Sequence, residues 1–519
     1  MDSLSELLTR HVHTQPERIA VATSDLRTVI GYRQLDSLVR SAAAQLSSLG
    51  MSSGDTVALI SDNSVDFVVG LLAIIFSGGR VAPLNPALTS NELSTRVSAL
   101  SAKATLFPKH HTGQLENWKS GSAARWIMSI EGSGGASTVS IANGDERAPK
   151  SYVNGKKSLP IIQRDDVAVV MFTAGSTSAP KAVPLTHGNM VESIRGISSV
   201  YDLSPRDATL IVMPLFHGHG LIAGLLSTLA SGGGAYLPST GVFSAHLFWP
   251  DMIRVGATWY TAAPTIHRIL VNRAPSEYPS SSPVALRFIR SCSEPLDESL
   301  ATAASTAFEA PIIAAYGMTE TSHQTTSNPL PSHGPNKTRS VGLPSGVELR
   351  ITGDDGGDVA TGTIGEIWVR GATLTAGYLN NPNANSASFV DGWFRSGDLG
   401  LRDADDYLFV KGRLKDIINR GGEKISPNDI DTVLLSNPKV LEAASFGEPD
   451  SIYGEGVHAA VVLRPGAEAT ESEMQEYCRS LLSGFEVPER IHIVAGLPRT
   501  AKGSIDHRAL AGQFSVRTP

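Results

Sequence analysis

The stretch MFTAGSTSAPKAVPLTH, Met171 to His187, decides how the chain is read. An apolar run, Val167 to Phe172, leads into it. The run is short, continuous and rich in β-branched residues, the pattern of a strand buried in a parallel sheet. It gives way at once to Thr173, Gly175, Ser176, Thr177 and Ser178. Hydroxyls and backbone N–H groups in a loop after a buried strand form a concave set of donors suited to phosphate. Lys181 adds a positive charge and Pro180 stiffens the approach. Composition alone favours an ordinary surface turn. The strand before it and the lysine after it favour a nucleotide-phosphate loop. The spacing G-x-x-x-x-G-K-[ST] is absent, so this is not a Walker A loop.

Strand and helix alternate on both sides of this stretch. Residues 3–50 read as helix, strand, helix, with Leu35, Leu38, Val39, Ala42, Ala43 and Leu46 on one helical face. Residues 56–60 and 80–84 read as strands around a helical pattern at 64–76. Residues 110–160 are polar and Gly/Ser-rich and read as long surface loops. The alternation resumes with strands at 208–213, 258–263, 287–291 and 311–315. Such alternation predicts an α/β fold with parallel sheets layered by helices. Ligand sites in these folds form at the carboxyl ends of strands. Four such ends carry polar or glycine-rich loops, at 173–181, 217–220, 291–296 and 316–323. From about residue 341 a smaller β-rich unit is expected. A charged, glycine-led linker follows at 412–416, then a compact α+β segment.

At 519 residues the chain is too long for one hydrophobic core. It is 41% apolar and 18% charged, with a net charge of −7. A soluble globular protein is expected, with no electrostatic reason to bind nucleic acid or an anionic membrane. Two cysteines, Cys292 and Cys478, make neither a disulfide framework nor a zinc site. The apolar run 67–76 is too short to span a bilayer. With no signal-peptide pattern and no peroxisomal tripeptide, the expectation is a cytoplasmic protein, monomeric or weakly dimeric.

Four motifs now stand in order: TAGSTSAPKAVPLTH, YGMTE (Tyr316 to Glu320), WFRSGDLG (Trp393 to Gly400) and GRLKDIINRGGEKISP (Gly412 to Pro427). Together they resemble the adenylate-forming superfamily of acyl-CoA synthetases, adenylation domains and luciferases, over essentially the whole chain. PLFHGHG, RSCSEPL, MTETSHQ, SNPLP and NRGGEKISP look most like plant and fungal oxalyl-CoA synthetases. The resemblance implies a large N-terminal domain (1–412), a hinge (413–415) and a mobile C-terminal domain (416–519). It implies ATP and Mg²⁺, with coenzyme A as co-substrate. A carboxylate would attack the α-phosphorus of ATP, and a thiol would then displace AMP.

The same resemblance assigns roles. Thr173, Ser176, Thr177, Ser178 and Lys181 would hold the phosphates. Ser293, Glu294 and Pro295 would line one face of the adenine, with Tyr316 and Gly317 on the other. Thr319 would contact the α-phosphate and Glu320 would help hold Mg²⁺, a hard ion suited to oxygen ligands. Asp398 would bind the ribose hydroxyls and remain ionised. Arg413 would reach the ribose or phosphate, Lys415 would be the hinge, and Gly421 and Gly422 would pass the pantetheine chain. Oxalate is a small dianion, so its pocket needs cationic or hydrogen-bonding groups. His217, Ser291, Ser293 and His323 fall where such groups would stand.

One position breaks the pattern. The family carries a catalytic lysine near its C-terminus, where the ungapped match puts Ser504, with Lys502 two residues before it. Loss of a preorganised cation costs ~3 kcal/mol or more, on the order of 10² to 10³ in rate. Ala174 and Ala182 also replace a usual Ser and Gly. Three accounts stand. Lys502 reaches the site through a shifted loop. Or adenylation is slow, and the second half-reaction dominates. Or the chain serves a non-CoA nucleophile in a biosynthetic condensation, or only binds nucleotide.

Overall fold

The computed structural model describes residues 3–111, 118, 121, 123–132, 137–144, 159–173, 180–279, 284–499 and 505–514. Two sheets build the large N-terminal part. The first has seven strands in the order Thr138–Asn143, Ala124–Glu131, Ala104–Pro108, Thr56–Ile60, Arg80–Leu84, Val167–Phe172 and Ala182–Thr186. The second has nine strands. Its central run is Ile312–Tyr316, Phe288–Ser291, Trp259–Ala262, Ala208–Leu210, Gly234–Leu237 and Ile19–Thr23, every neighbouring pair parallel. The expected α/β layering is present.

Helix Tyr32–Ser48 buries the six residues that its periodicity selected, along with Tyr32. Helix Val65–Phe76 is buried at every position except Asp66, and Ser64 caps it by accepting from the Phe67 N–H. A helix that is apolar all round belongs in a core. No helix among the described residues is long and apolar enough to cross a membrane.

The structure corrects several expectations. Part of the stretch expected as surface loop pairs as strands Ala124–Glu131 and Thr138–Asn143, with Trp126 and Met128 buried. A period-2 pattern lies inside its polar composition (burial alternates along Thr138–Asn143). The opening stretch continues into a strand: Val167–Phe172 pairs antiparallel with Ala182–Thr186. Asp398 sits within the ten-residue strand Trp393–Arg402. The strand expected at 208–213 ends at Leu210.

The smaller β unit is confirmed as a five-stranded sheet containing Val347–Thr352, Gly365–Gly371, Trp393–Arg402 and Leu408–Arg413. Arg413 is the last residue of its strand, and Leu414–Asp416 follow as a single 3-10 turn. Beyond it, a second five-stranded sheet packs helices Pro427–Ser436, Glu471–Arg479 and His507–Phe514. Its two apolar clusters draw only on Ile418 and later residues. Both cysteines are buried and free.

His187 opens the helix after the antiparallel pair, and its Nδ1 accepts the Leu4 N–H at 3.2 Å. Burial pushes its pKa down to about 4, against a smaller upward pull from Asp166. Burial likewise pushes His267 down to about 3. Below pH 6.5 the unfolded chain takes up these protons and the folded chain does not, so stability falls as pH falls from 6.5 towards 4. Urea melts at pH 7.5 and 5.0 should show this loss. The difference should shrink in His187→Asn, which keeps an acceptor and does not titrate.

Candidate active site

The carboxyl ends of Ile312–Tyr316, Phe288–Ser291, Trp259–Ala262 and Ala208–Leu210 lie side by side, as their pairing requires. The segments leaving them face a cleft of about 2790 Å³, whose far wall includes Asn428, Glu442 and Asp506 of the C-terminal part. Thr173 and Lys181 reach the same cleft from the other sheet. Thr173 N–H donates to the Lys181 carbonyl at 3.0 Å, closing the base of the opening stretch. Ser176, Thr177 and Ser178 lie outside the described residues, as do Lys502 and Ser504.

The cleft brings together His217, Ser293, Glu294, Pro295, Tyr316, Gly317, Thr319, Glu320, His323, Asp398, Arg413 and Lys415. Three expected residues are not among its walls. Ser291 is buried within its strand, and its hydroxyl has no hydrogen-bond partner among the described residues. Gly421 and Gly422 form the turn between strands Ile418–Arg420 and Glu423–Ile425, with φ of 60° and 93°.

Asp398 is held by two donors. The Tyr316 hydroxyl donates to Oδ2 at 2.5 Å, and Arg413 Nε stands 3.3 Å from Oδ1. Register explains the second contact, because Asp398 and Arg413 are direct cross-strand partners. Burial outweighs both donors and raises the Asp398 pKa above the ordinary carboxylate value. Burial and the adjacent carboxylate hold the Tyr316 phenol well above its ordinary pKa, so it remains a donor.

A second chain of contacts joins the opening stretch to Glu320. Lys181 Nζ stands 4.5 Å over the Tyr378 ring, and the Tyr378 hydroxyl donates to Glu320 Oε1 at 2.8 Å. Tyr378 was not legible in the sequence, since its lone aromatic side chain gains meaning only from these two partners. Glu320 and Thr319 offer a carboxylate and a hydroxyl beside each other. These are hard oxygen donors of the kind Mg²⁺ takes along with substrate phosphates, so the residues present fit that ion.

The deep end of the cleft is polar. His219 is buried, with Nδ1 2.9 Å from Ser293 Oγ and Nε2 2.6 Å from Thr261 Oγ1. Its ring stacks on His323, with centroids 4.9 Å apart. Burial, with His323 and Arg290 nearby, holds the His219 pKa well below its ordinary value, so this ring is neutral. The sequence reading named His217 and His323 and missed His219, although PLFHGHG contains both histidines of that loop.

Backbone geometry marks the same residues. Ser293, Ser322 and His323 have φ of 81°, 52° and 68°, values that non-glycine residues avoid. Close approach explains two glycines. A Cβ on Gly317 would stand 2.2 Å from the His323 carbonyl oxygen, and one on Gly220 would stand 2.4 Å from the Met213 and Pro214 oxygens.

Comparison with known proteins accounts for this constellation. The AMP-binding enzyme family matches residues 8–379, and the AMP-binding enzyme C-terminal domain matches residues 429–504. The chain belongs to the AMP-binding enzyme family. It is similar to an oxalate–CoA ligase of Arabidopsis thaliana, 42% identical over 99% of both chains. It is also similar to an oxalate–CoA ligase of Saccharomyces cerevisiae, 36% identical over 96% of this chain and 95% of that one. Its fold matches o-succinylbenzoate coenzyme A synthetase from Bacillus subtilis, solved in complex with ATP and magnesium ion. That match has a TM-score of 0.83 at 27% identity, over 97% of this chain and 98% of that one. Membership in the family carries the reaction class: ATP-dependent acid–CoA ligation through an acyl-adenylate, with Mg²⁺.

The strain at Ser293 can be separated from its chemistry. In Ser293→Gly, relief of the left-handed strain and the added freedom of the unfolded chain offset each other to within about 1 kcal/mol. The hydroxyl bonded to His219 is lost. Denaturation should show a folded protein of near wild-type stability, while the KM for the acid rises by about tenfold or more.

Proposed function

We propose that this enzyme joins a small polar dicarboxylic acid, oxalate first, to coenzyme A. The observation that carries the reading is the deep end of the cleft. His217, His219, Ser293 and His323 gather there, where a long-chain acid would need an apolar wall. The names of the two oxalate–CoA ligases similar over their full length support the same acid.

In this reading Thr173 and Lys181, with residues 176–178, hold the β- and γ-phosphates. Tyr316 and Gly317 oppose Ser293, Glu294 and Pro295 across the adenine. Asp398 takes the ribose, with Arg413 beside it. A carboxylate oxygen of the acid attacks the α-phosphorus, and the bond to pyrophosphate breaks. The coenzyme A sulfur then attacks the acyl carbon, the bond to AMP breaks, and the thioester forms.

The small domain turns about 413–415 between these steps and brings Gly421 and Gly422 to the thiol path. Two features favour such a turn: the separate apolar clusters beyond Ile418, and a boundary bridged by side-chain pairs such as Lys424–Asp354 at 3.0 Å. Surface pairs of this kind contribute little and exchange readily with water.

Lys502 supplies the cation that bridges carboxylate and α-phosphate in adenylation, its flexible stem covering the two-residue offset from Ser504. Lys502→Ala should then lower acid-dependent pyrophosphate release on the order of 10² to 10³. Thioester formation from a preformed adenylate should be spared. A large gain in Ser504→Lys, with no loss in Lys502→Ala, would assign the role to the other position.

The decisive test is pyrophosphate release across an acid panel, with and without coenzyme A. Oxalate should give the highest kcat/KM, other short diacids less, and apolar acids least. No release with any acid, alongside tight AMP binding, would sink the ligase reading.

A further inference from the structure

Behind the deep end of the cleft lies a cation with no anion beside it among the described residues. Arg290 is wholly buried, in the strand next to the one that carries Thr261, and the two residues are register partners. Its Nε donates to the Tyr201 hydroxyl at 3.1 Å, Nη1 to Thr261 Oγ1 at 3.2 Å and Nη2 to Gln324 Oε1 at 3.1 Å. The Cys292 side chain adds a further contact. All of these acceptors are uncharged. Among the described residues, no carboxylate forms an ion pair with Arg290. A buried charge held by neutral dipoles alone is costly, and its field is weakly screened.

Hydrogen-bond accounting follows this field outward. A guanidinium only donates, so Thr261 Oγ1 accepts from Arg290 and retains one O–H of its own. Thr261 contacts His219 Nε2 at 2.6 Å, and His219 Nδ1 contacts Ser293 Oγ at 2.9 Å. Two arrangements satisfy these contacts. In one, Thr261 donates to Nε2, the Nδ1–H donates to Ser293, and the Ser293 O–H is free to donate into the cleft. In the other, Nε2–H donates to Thr261 and Ser293 donates to Nδ1, so only the lone pairs of Ser293 face the cleft. The positive charge on Arg290 makes Thr261 the better donor and the poorer acceptor, which selects the first arrangement. A neutral His219 is what either relay requires, and burial keeps it neutral.

We propose that Arg290, acting through Thr261 and His219, holds Ser293 as a hydrogen-bond donor to the acid, and that its unbalanced charge makes the site favour an acid with a second carboxylate. Arg290 and Thr261 are positioning residues: they touch neither the acid nor the nucleotide. The inference rests on the acid–CoA ligase reading above and names what sets its acid preference. The charge that attracts the dianion is then a fixed one, set beneath the pocket, and not a protonated histidine.

The test uses the full-length enzyme and pyrophosphate release, with oxalate compared against the monoacids glycolate and acetate. Thr261→Val keeps the shape and breaks the relay. It should raise the KM for oxalate on the order of 10- to 100-fold, with the KM for ATP changed less than about threefold. Thr261→Ser, which restores the hydroxyl, should recover most of the loss. A purely structural role would move both KM values, or would show no rescue by serine.

Arg290→Met should lower the preference for oxalate over the monoacids by about tenfold or more. AMP affinity by calorimetry serves as the control for folding. If Arg290→Met does not fold, the Thr261 pair decides alone. An unchanged oxalate KM in Thr261→Val, or equal weakening of diacid and monoacids in Arg290→Met, overturns the proposal. These outcomes are distinct from failure of the ligase reading, in which the wild-type enzyme itself would activate no acid.

Discussion

Parallel pairing of four neighbouring strands is the constraint on which the site depends. Ile312–Tyr316, Phe288–Ser291, Trp259–Ala262 and Ala208–Leu210 run in one direction, so their carboxyl ends must emerge together. His219, Ser293, Tyr316, Glu320 and His323 all hang from those ends. Tyr316, Ser293 and His219 lie far apart in sequence and become neighbours because their strands are neighbours. Among the described residues, the seven-stranded sheet contributes Lys181 and Thr173, which meet the others across the junction. A change that shifted one strand's register would move its side chains to the opposite face and dismantle the site.

The polar end of the cleft is held at a cost in local conformation. Ser293 and His323 take backbone angles suited to glycine, and Arg290 is buried with no counter-ion among the described residues. Such features persist where the surrounding structure over-determines them. Here the surroundings are the apolar helices on both faces of the sheets and the close backbone approaches at Gly220 and Gly317. The result is a polar recess held by rigid neighbours, with the neutral His219 in its wall and a buried guanidinium behind it.

Much of the cleft was legible in the sequence. Short motifs carry it, and each motif stays together because it occupies one strand end or one turn. Asp398 and Tyr316 could be named separately, but their direct hydrogen bond could not. It spans 82 positions and depends on how the smaller β unit sits against the nine-stranded sheet. Tyr378 was invisible for the same reason. Gly421 and Gly422 were named by resemblance, yet they stand at a hairpin turn outside the cleft walls. That difference belongs to the placement of the small domain.

The sequence by itself determined the architecture and the family, and named most of the residues that the cleft brings together. Hydrophobic periodicity sets which face of each element is buried, and that information is local. Tertiary structure decided the deep end of the cleft. Arg290, Thr261, His219 and Ser293 come from three separate segments of chain, and of the four only Ser293 was named from its motif. Thr261 and Arg290 meet through the register of adjacent parallel strands, and His219 reaches them from the loop after a third. Their charges and hydrogen bonds acquire meaning only when burial removes water and leaves them to one another, and burial of that kind is a property of the packed whole.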